Sequence, residues 1–215
     1  MADYEFEGLP LTALRPGTSV LVVGPSHAGT RELAFRMLSG PDDEGAILIT
    51  TTQRAGRVAE DWRRSGTELS KERSAILDCV GDEDESLPAR VLPVSGPADL
   101  TGIGMRYSDV YRDFREAGIE RVRTGLLSVS TLLSYGDLKT VSRFVHTLVG
   151  RIDAVDGVGV FVVDPGMHDE QTVSTLTQFC SARIDVRERE DGPELRVRGV
   201  PGQHRDWQSF DVGTE

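Results

Sequence analysis

Ser19-Val-Leu-Val-Val-Gly-Pro-Ser-His-Ala-Gly-Thr-Arg31 is the stretch that decides the fold. Its first five residues are short, rich in β-branched side chains and closed by Gly-Pro, which is typical of a strand buried on both faces of a parallel sheet. Residues 30–39 then have the pattern of a helix. Because strand, turn and helix in direct succession are the repeating unit of α/β proteins, the stretch predicts an α/β fold.

The remainder of the chain repeats this rhythm. Apolar runs predict strands at 46–51, 74–80, 90–94, 122–129 and 158–163, and helical spacing predicts helices at 56–65, 98–117, 137–153 and 171–181. The acidic tract 81–86 is interpreted as a solvated loop. Residues 184–188, 194–198 and 208–212 alternate with period two and predict antiparallel edge strands. We therefore expect one domain over residues 1–215, with a mostly parallel central sheet and antiparallel C-terminal strands.

Composition restricts the classes of partner. The formal net charge is -11, from 35 acidic and 24 basic residues, so a long nucleic acid or an anionic membrane surface would be repelled overall. Lys71 and Lys139 are the only lysines, a bias that suggests a salt-adapted cytoplasm. The N-terminus has no signal-peptide pattern and no apolar run is long enough for a membrane span, so a cytoplasmic protein without membrane insertion is expected. Cys79 and Cys180 are isolated and are interpreted as reduced core residues.

The turn after the first strand has the shape of a phosphate loop. Backbone N–H groups and a helix dipole can together hold phosphate there, so ATP or ADP could bind, although the sequence makes no cofactor certain. The full pattern, G-x-x-x-x-G-K-[ST], uses lysine on the β- and γ-phosphates and a hydroxyl on magnesium, but Thr30 and Arg31 occupy those two positions. A glycine-rich turn without any ligand remains open. The candidate nucleotide-binding residues are Gly24, Pro25, Ser26, His27, Ala28, Gly29, Thr30 and Arg31.

Several segments in order resemble the KaiC-like domains of the RecA superfamily, which are abundant in haloarchaea. Besides the 19–31 stretch, they are Ile47-Leu-Ile-Thr-Thr51, Asp99-Leu-Thr-Gly-Ile-Gly104, Leu127-Ser-Val-Ser-Thr-Leu-Leu133 and Gly159-Val-Phe-Val-Val-Asp-Pro-Gly166. The resemblance covers nearly the whole chain. It implies a RecA-like three-layer sandwich, contact with similar subunits, and a role in signalling, regulation or assembly.

The chain departs from the pattern of that family at three catalytic positions. Besides the loop lysine, the family's magnesium aspartate before Ser128 is replaced by Leu127, and its two acids after the second strand are replaced by Thr52 and Gln53. These changes predict a catalytically inactive domain that acts as a regulatory or scaffolding partner, through self-association or with another KaiC-like or signalling protein, and that binds nucleotide weakly at most. The alternative is an active ATP-dependent switch that uses Arg31 and unusual acids.

Three other arrangements of residues point to different functions. Ser26, with Asp164 and either His168 or His204, follows the Ser-Asp-His order of α/β-hydrolases, although little chain precedes Ser26 to supply the earlier strands and half of an oxyanion hole. Asp164 also begins a group of carboxylates and an imidazole over 164–170, which is interpreted as a turn and a helix start rather than a metal site. The late turn 199–207 resembles the segment that approaches a neighbouring subunit in KaiC-like proteins, with Trp207 and Arg205 as candidate contacts.

Overall fold

A single mixed β-sheet organises the computed structural model, which describes residues 2–211. Its strands are β1 (Ser19–Val23), β2 (Glu44–Thr50), β3 (Ser74–Asp78), β4 (Arg90–Pro93), β5 (Arg121–Leu126), β6 (Val158–Val163), β7 (Ala182–Arg189), β8 (Gly192–Arg198) and β9 (Gln208–Ser209). They lie side by side in the order β4-β3-β2-β5-β6-β1-β7-β8-β9. The first seven in this order are mutually parallel, β8 pairs antiparallel with β7, and β9 pairs antiparallel with β8.

Helices cover both faces of this sheet. They are α1 (Thr30–Leu38), α2 (Ala55–Arg64), α3 (Leu100–Glu116), α4 (Val129–Tyr135), α5 (Leu138–Ala154) and α6 (Glu170–Thr177). One apolar core lies between the sheet and the helices α1 and α2, and a second lies between the sheet and α3, α4, α5 and α6. The expected α/β architecture with a mostly parallel central sheet is confirmed. Within residues 2–211, no helix combines the length and apolar composition needed to cross a bilayer.

The predicted elements differ from the structure at several places. The strand predicted over 122–129 ends at Leu126, and Val129–Tyr135 forms a helix that the pattern did not indicate, because Ser128 Oγ accepts a hydrogen bond from Thr131 N and caps it. The helix predicted over 171–181 ends at Thr177. The segment 184–188, predicted as an antiparallel edge strand, belongs to β7. This strand pairs in parallel with β1 on one side and antiparallel with β8 on the other. The strand predicted over 208–212 is also shorter, since β9 ends at Ser209; Val212 lies outside the described residues.

A buried ion pair joins the N-terminal segment to the sheet. The carboxylate of Glu44 accepts hydrogen bonds from Arg121 Nε (2.8 Å) and Arg123 Nε (2.5 Å). Arg123 is only 1% exposed and also donates to the backbone carbonyls of Met37 and Glu5. The Tyr4 ring packs under the Arg121 guanidinium, 4.0 Å from its centroid. The start of the chain is thus held against the amino ends of β2 and β5.

Replacing Glu44 with Gln leaves the buried Arg123 guanidinium without its counter-charge. Breaking a buried pair in this way typically costs about 3–5 kcal/mol of unfolding free energy, and we expect a loss of that order in urea-induced unfolding. Asp42→Asn is the matched control, because the Asp42 side chain is 90% exposed and its ion pair with Arg73 should contribute less than about 1 kcal/mol. Equal losses for the two variants would contradict the structural role given to Glu44.

Candidate functional site

The carboxyl ends of four neighbouring strands place the predicted site residues along one edge of the sheet. The loop of residues 24–29 follows β1, Thr52 and Gln53 follow β2, Ser128 follows β5, and Asp164 follows β6. In the sheet these strands lie in the order β2-β5-β6-β1. Ligand crevices of open parallel sheets occur at this edge. The residues singled out from separate parts of the sequence therefore share the edge where a ligand would bind.

Asp164 ties the loop to the neighbouring strand. Its Oδ2 accepts hydrogen bonds from Ser26 N (3.2 Å) and from Ser26 Oγ (3.1 Å), and its Oδ1 accepts one from Gly166 N (2.9 Å). Its own backbone N–H donates to Ser130 Oγ at the start of α4. A carboxylate of the chain itself thus occupies one amide of the loop and places a negative charge beside the position that a phosphate would take.

The loop also closes on the side chain of Thr30. This side chain is buried, and its hydroxyl donates to the carbonyl of Pro25 at 2.7 Å. Gly29, the residue before α1, has a φ of 74°, in the left-handed region that favours glycine. A Cβ at Gly24 would lie 2.5 Å from Thr30 Oγ1 and 2.7 Å from Val186 Cβ, so only glycine fits there. The residue at the lysine position of the phosphate-loop pattern therefore contacts the loop itself.

Arg31 turns away from the loop and lies between α1 and α2. Its guanidinium carbon is 5.2 Å from the centroid of the Phe35 ring, and its Nη2 is 3.8 Å from Asp61 Oδ2. Burial lowers the pKa of this guanidinium, and the nearby carboxylate of Asp61 opposes that effect. The side chain is thus engaged in packing the two helices rather than in reaching toward the loop.

The residues after β2 and β5 make local backbone contacts. Thr52 is exposed, and Gln53 accepts a hydrogen bond from Thr50 Oγ1 through its backbone carbonyl. Ser128 caps α4 and accepts a hydrogen bond from Thr51 Oγ1 at its backbone carbonyl. Thr52, Gln53 and Ser128 therefore bring no carboxylate to the loop. Among the described residues, the side-chain Oε1 of Gln53 is buried without a hydrogen-bond partner.

Asp78 is a buried carboxylate at this edge that the sequence interpretation did not single out. It ends β3, is 1% exposed, and accepts hydrogen bonds from the backbone N–H groups of Ala55, Val80 and Gly81 at 2.7–2.9 Å. Its lone pairs are thus used to start α2 and to turn the chain after β3. A strand that ends in Asp a few residues before a glycine was the available signal.

The hydrolase and metal arrangements receive no geometric support. The Ser26 hydroxyl donates to the Asp164 carboxylate, whereas a nucleophilic serine needs an imidazole as its base. Asp169 accepts a hydrogen bond from Thr172 N and caps α6, as the helix-start interpretation expects. Among residues 2–211 no group of three His, Cys, Asp or Glu side chains is placed to hold a metal ion.

Both cysteines lie in environments that suppress thiolate formation. Burial, reinforced by the charges of Asp78 and Asp99, raises the pKa of the Cys79 thiol to about 12. Burial alone raises the pKa of the Cys180 thiol to about 12. Because the thiolate is the reactive species, neither residue is suited to nucleophilic or redox chemistry.

The native protein should therefore resist alkylation. At pH 8, a thiol with a pKa near 12 is a thiolate on the order of one part in 10,000, so iodoacetamide should modify neither Cys79 nor Cys180 within an hour. Intact-mass spectrometry checks this, with protein unfolded in urea as the control that should gain two labels. Rapid labelling of the folded protein would show that one thiol is accessible and acidic.

Asp164→Ala should loosen the 24–29 loop without unfolding the domain. Each lost hydrogen bond contributes about 1 kcal/mol, so the amide of Ser26 should exchange with deuterium roughly tenfold faster or more. Hydrogen-exchange mass spectrometry of the peptide that contains Ser26 measures this change. Asp169→Ala is the control, since it removes a cap of α6 and should leave the loop peptide unchanged.

The late turn places Trp207 against the hairpin of β7 and β8. The guanidinium carbon of Arg187 lies 3.9 Å from the centroid of the Trp207 ring, and that of Arg196 lies 4.6 Å from it. Arg205, the other candidate contact, is exposed. Trp207 therefore covers part of the sheet beside a row of arginines.

Comparison with known proteins supports this architecture. The model of a family of unknown function, DUF7504, matches residues 17–186. A KaiC-like protein of Pyrococcus horikoshii, PH0186, superposes with a TM-score of 0.64 at 15% identity, over 90% of this chain and 84% of that one. An uncharacterized protein of the same organism, PH0321, solved in complex with an unknown peptide, superposes with a TM-score of 0.65 at 14% identity, over 86% and 84% of the two chains. No curated protein matches in sequence. At these identities the likeness establishes the RecA-like fold expected from the sequence and nothing finer.

Proposed function

The chain belongs to the DUF7504 family and has the fold of KaiC-like proteins, and from this basis we propose that it is a non-hydrolytic member of that fold that acts as a regulatory or scaffolding partner of other proteins. The observation that carries the proposal is the pair of hydrogen bonds from Ser26 to the carboxylate of Asp164. Through these hydrogen bonds, the loop binds a carboxylate of the protein itself, where a phosphate loop would bind the phosphate of a nucleotide.

Hydrolysis of ATP on this fold requires a positive clamp, a magnesium site and a group that positions water. At the clamp position, Thr30 is buried and bonded to Pro25. At the metal position after β5, the chain has Leu127, which is 7% exposed and contributes to the apolar core. At the positions after β2, Thr52 and Gln53 carry no charge at all. All three roles are missing at one site.

Electrostatics at the loop disfavours nucleotide further. An ATP phosphate placed on the loop would lie close to the Asp164 carboxylate, and the loop of residues 24–29 contains no lysine to offset the repulsion. Lys71 donates to the carbonyl of Glu85 in the acidic tract, and Lys139 lies on the exposed side of α5. Arg31 is held between α1 and α2. Weak binding, through the remaining amides of the loop alone, is the most that this arrangement supports.

An active ATP-dependent switch is the competing hypothesis. It needs Arg31 to leave Phe35 and Asp61 and to swing toward the loop, at the cost of their contacts. It also needs Asp164 to release Ser26 and to bind magnesium instead. The buried Nε and Nη2 of Arg31 have no hydrogen-bond partner among the described residues, and this observation favours the rearrangement. The contacts of Arg31 with Phe35 and Asp61 favour the packed state.

Calorimetric titration with ATP in the presence of magnesium tests the proposal. We expect a dissociation constant weaker than about 1 mM, equivalent to less than about 4 kcal/mol of binding free energy, and no phosphate release above background. The same titration on Asp164→Asn removes the internal negative charge while keeping an acceptor for Ser26. That variant should bind ATP more tightly than the wild type and still fail to hydrolyse it.

Micromolar affinity with turnover, both abolished in Gly29→Asp, would overturn the proposal in favour of the active switch. Gly29→Asp adds a side chain and a negative charge at the helix start, so it should remove any binding that depends on the loop. Circular dichroism of each variant confirms that the fold is intact before its affinity is interpreted.

A further inference from the structure

One face of the β7–β8 hairpin is crowded with arginine. Successive residues of a strand alternate between faces, and the register pairs Arg183 with Arg198, Asp185 with Arg196, and Arg187 with Glu194. The opposite face carries Ile184, Val186, Leu195 and Val197, which pack into the core beside α1. The exposed face, called the arginine face below, consists of Arg183, Asp185, Arg187, Arg189, Glu194, Arg196 and Arg198.

The charge of this face is opposite to that of the whole molecule. Five guanidinium groups there face two carboxylates, in a chain whose formal net charge is -11. Asp185 accepts from Arg183 (2.7 Å), Arg198 (3.0 Å) and Arg196 (3.4 Å). Glu194 pairs with Arg187 at 2.6 Å and with Arg189 at 3.8 Å. Each acid is shared among several arginines, so positive charge remains uncompensated.

These arginines are already held in position. A guanidinium has five N–H donors, and a single shared carboxylate oxygen satisfies few of them. The side chains of Arg189 and Arg198 remain 56% and 55% exposed, with donors directed to solvent. Asp185 and Glu194 pair with the guanidinium groups of all five arginines, and the Trp207 ring stacks on Arg187 and Arg196. These contacts restrict the side chains before an anion binds, which reduces the conformational entropy lost on binding.

We propose that the arginine face binds an acidic, extended segment of a partner protein. Alternate residues of a strand lie about 6.8 Å apart, so Arg187 and Arg189, and likewise Arg196 and Arg198, match a segment with Asp or Glu at every second position. Each guanidinium would take one carboxylate in paired hydrogen bonds. This inference names the contact through which the proposed regulatory role would act, and it rests on that role.

Nucleic acid fits this face less well. Single-stranded nucleic acid binds to proteins by stacking bases on aromatic rings, and the only aromatic side chain described at the face is Trp207, on whose ring Arg187 and Arg196 already stack. Glu190 and Asp191 at the tip of the hairpin would repel a continuing phosphate backbone. An acidic peptide avoids the first obstacle, because carboxylates bind guanidinium groups without a free aromatic ring.

Fluorescence anisotropy provides the test. The probe is a fluorescein-labelled peptide of alternating Glu and Thr, compared with a peptide of alternating Gln and Thr and with an oligo-dT of equal length. The wild type should bind the Glu-Thr peptide at least tenfold more tightly than the other two, and its affinity should fall as salt is raised from about 50 to 300 mM. Arg189→Gln/Arg198→Gln should weaken binding of the Glu-Thr peptide about tenfold or more.

The matched control is Arg63→Gln/Arg106→Gln. It removes two exposed arginines that make no ion pair among the described residues and lie outside the arginine face, so affinity should stay within about twofold. An equal loss in both double variants, or equal binding of the Glu-Thr and Gln-Thr peptides, would overturn the proposal. Tighter binding of oligo-dT would identify a nucleic-acid surface instead.

Sedimentation of the wild type and of Arg189→Gln/Arg198→Gln adds one further outcome. An oligomer that dissociates in the variant would mean that a second copy of the chain covers the face, which would also overturn the proposal. The ATP titration is separate, because hydrolysis by the wild type would contradict the non-hydrolytic role while leaving peptide binding measurable. Failure of one proposal is therefore distinguishable from failure of the other.

Discussion

The carboxylate of Asp164 accepts hydrogen bonds from the backbone and the hydroxyl of Ser26, and the character of the candidate site follows from this contact. A glycine-rich loop at a helix N-terminus offers amides to an anion. In this chain the anion is a side chain of the adjacent strand, positioned by the parallel pairing of β1 with β6. The same residue is bonded to Gly166 and to Ser130. Its side chain thus holds the loop while its backbone N–H contacts the first turn of α4.

Carboxylates also organise the arginines of the chain, because a single acidic side chain pairs with several guanidinium groups. Glu44 serves two arginines at the amino ends of the strands, and Asp185 serves three on the hairpin. The two groups differ in burial, and this difference decides their effect. Arg123 is enclosed and needs its partner to remain in the core, whereas Arg198 is half in solvent and keeps donors free. The buried network therefore stabilises the fold, and the exposed one is the surface for which we propose a binding role.

The fold could be predicted from the sequence because each central strand is recognisable from its own residues. Strands such as β1 and β6 are buried on both faces, so they are apolar without interruption and are bounded by glycine and proline. The carboxyl-edge location of the loop, Ser128 and Asp164 follows from strand direction alone. The helix α4 could not be predicted, since seven residues are too few to show a helical period and its beginning depends on one serine cap. The parallel partner of β7 is a long-range pairing that alternation of side chains does not reveal.

The side-chain contacts at the candidate site could not be predicted from the sequence either. Thr30 and Arg31 could be recognised as departures from the phosphate-loop pattern, but the pattern could not show that Thr30 fills the loop or that Arg31 packs on Phe35. The arginine face was equally hidden, because its members belong to two strands and become one surface only through their register. A missing catalytic residue shows only which chemistry is absent. The contacts of Ser26 with Asp164 and of Thr30 with Pro25 show how the loop is stabilised without a ligand, and the proposal of a non-hydrolytic role rests on these contacts more than on the loss of lysine.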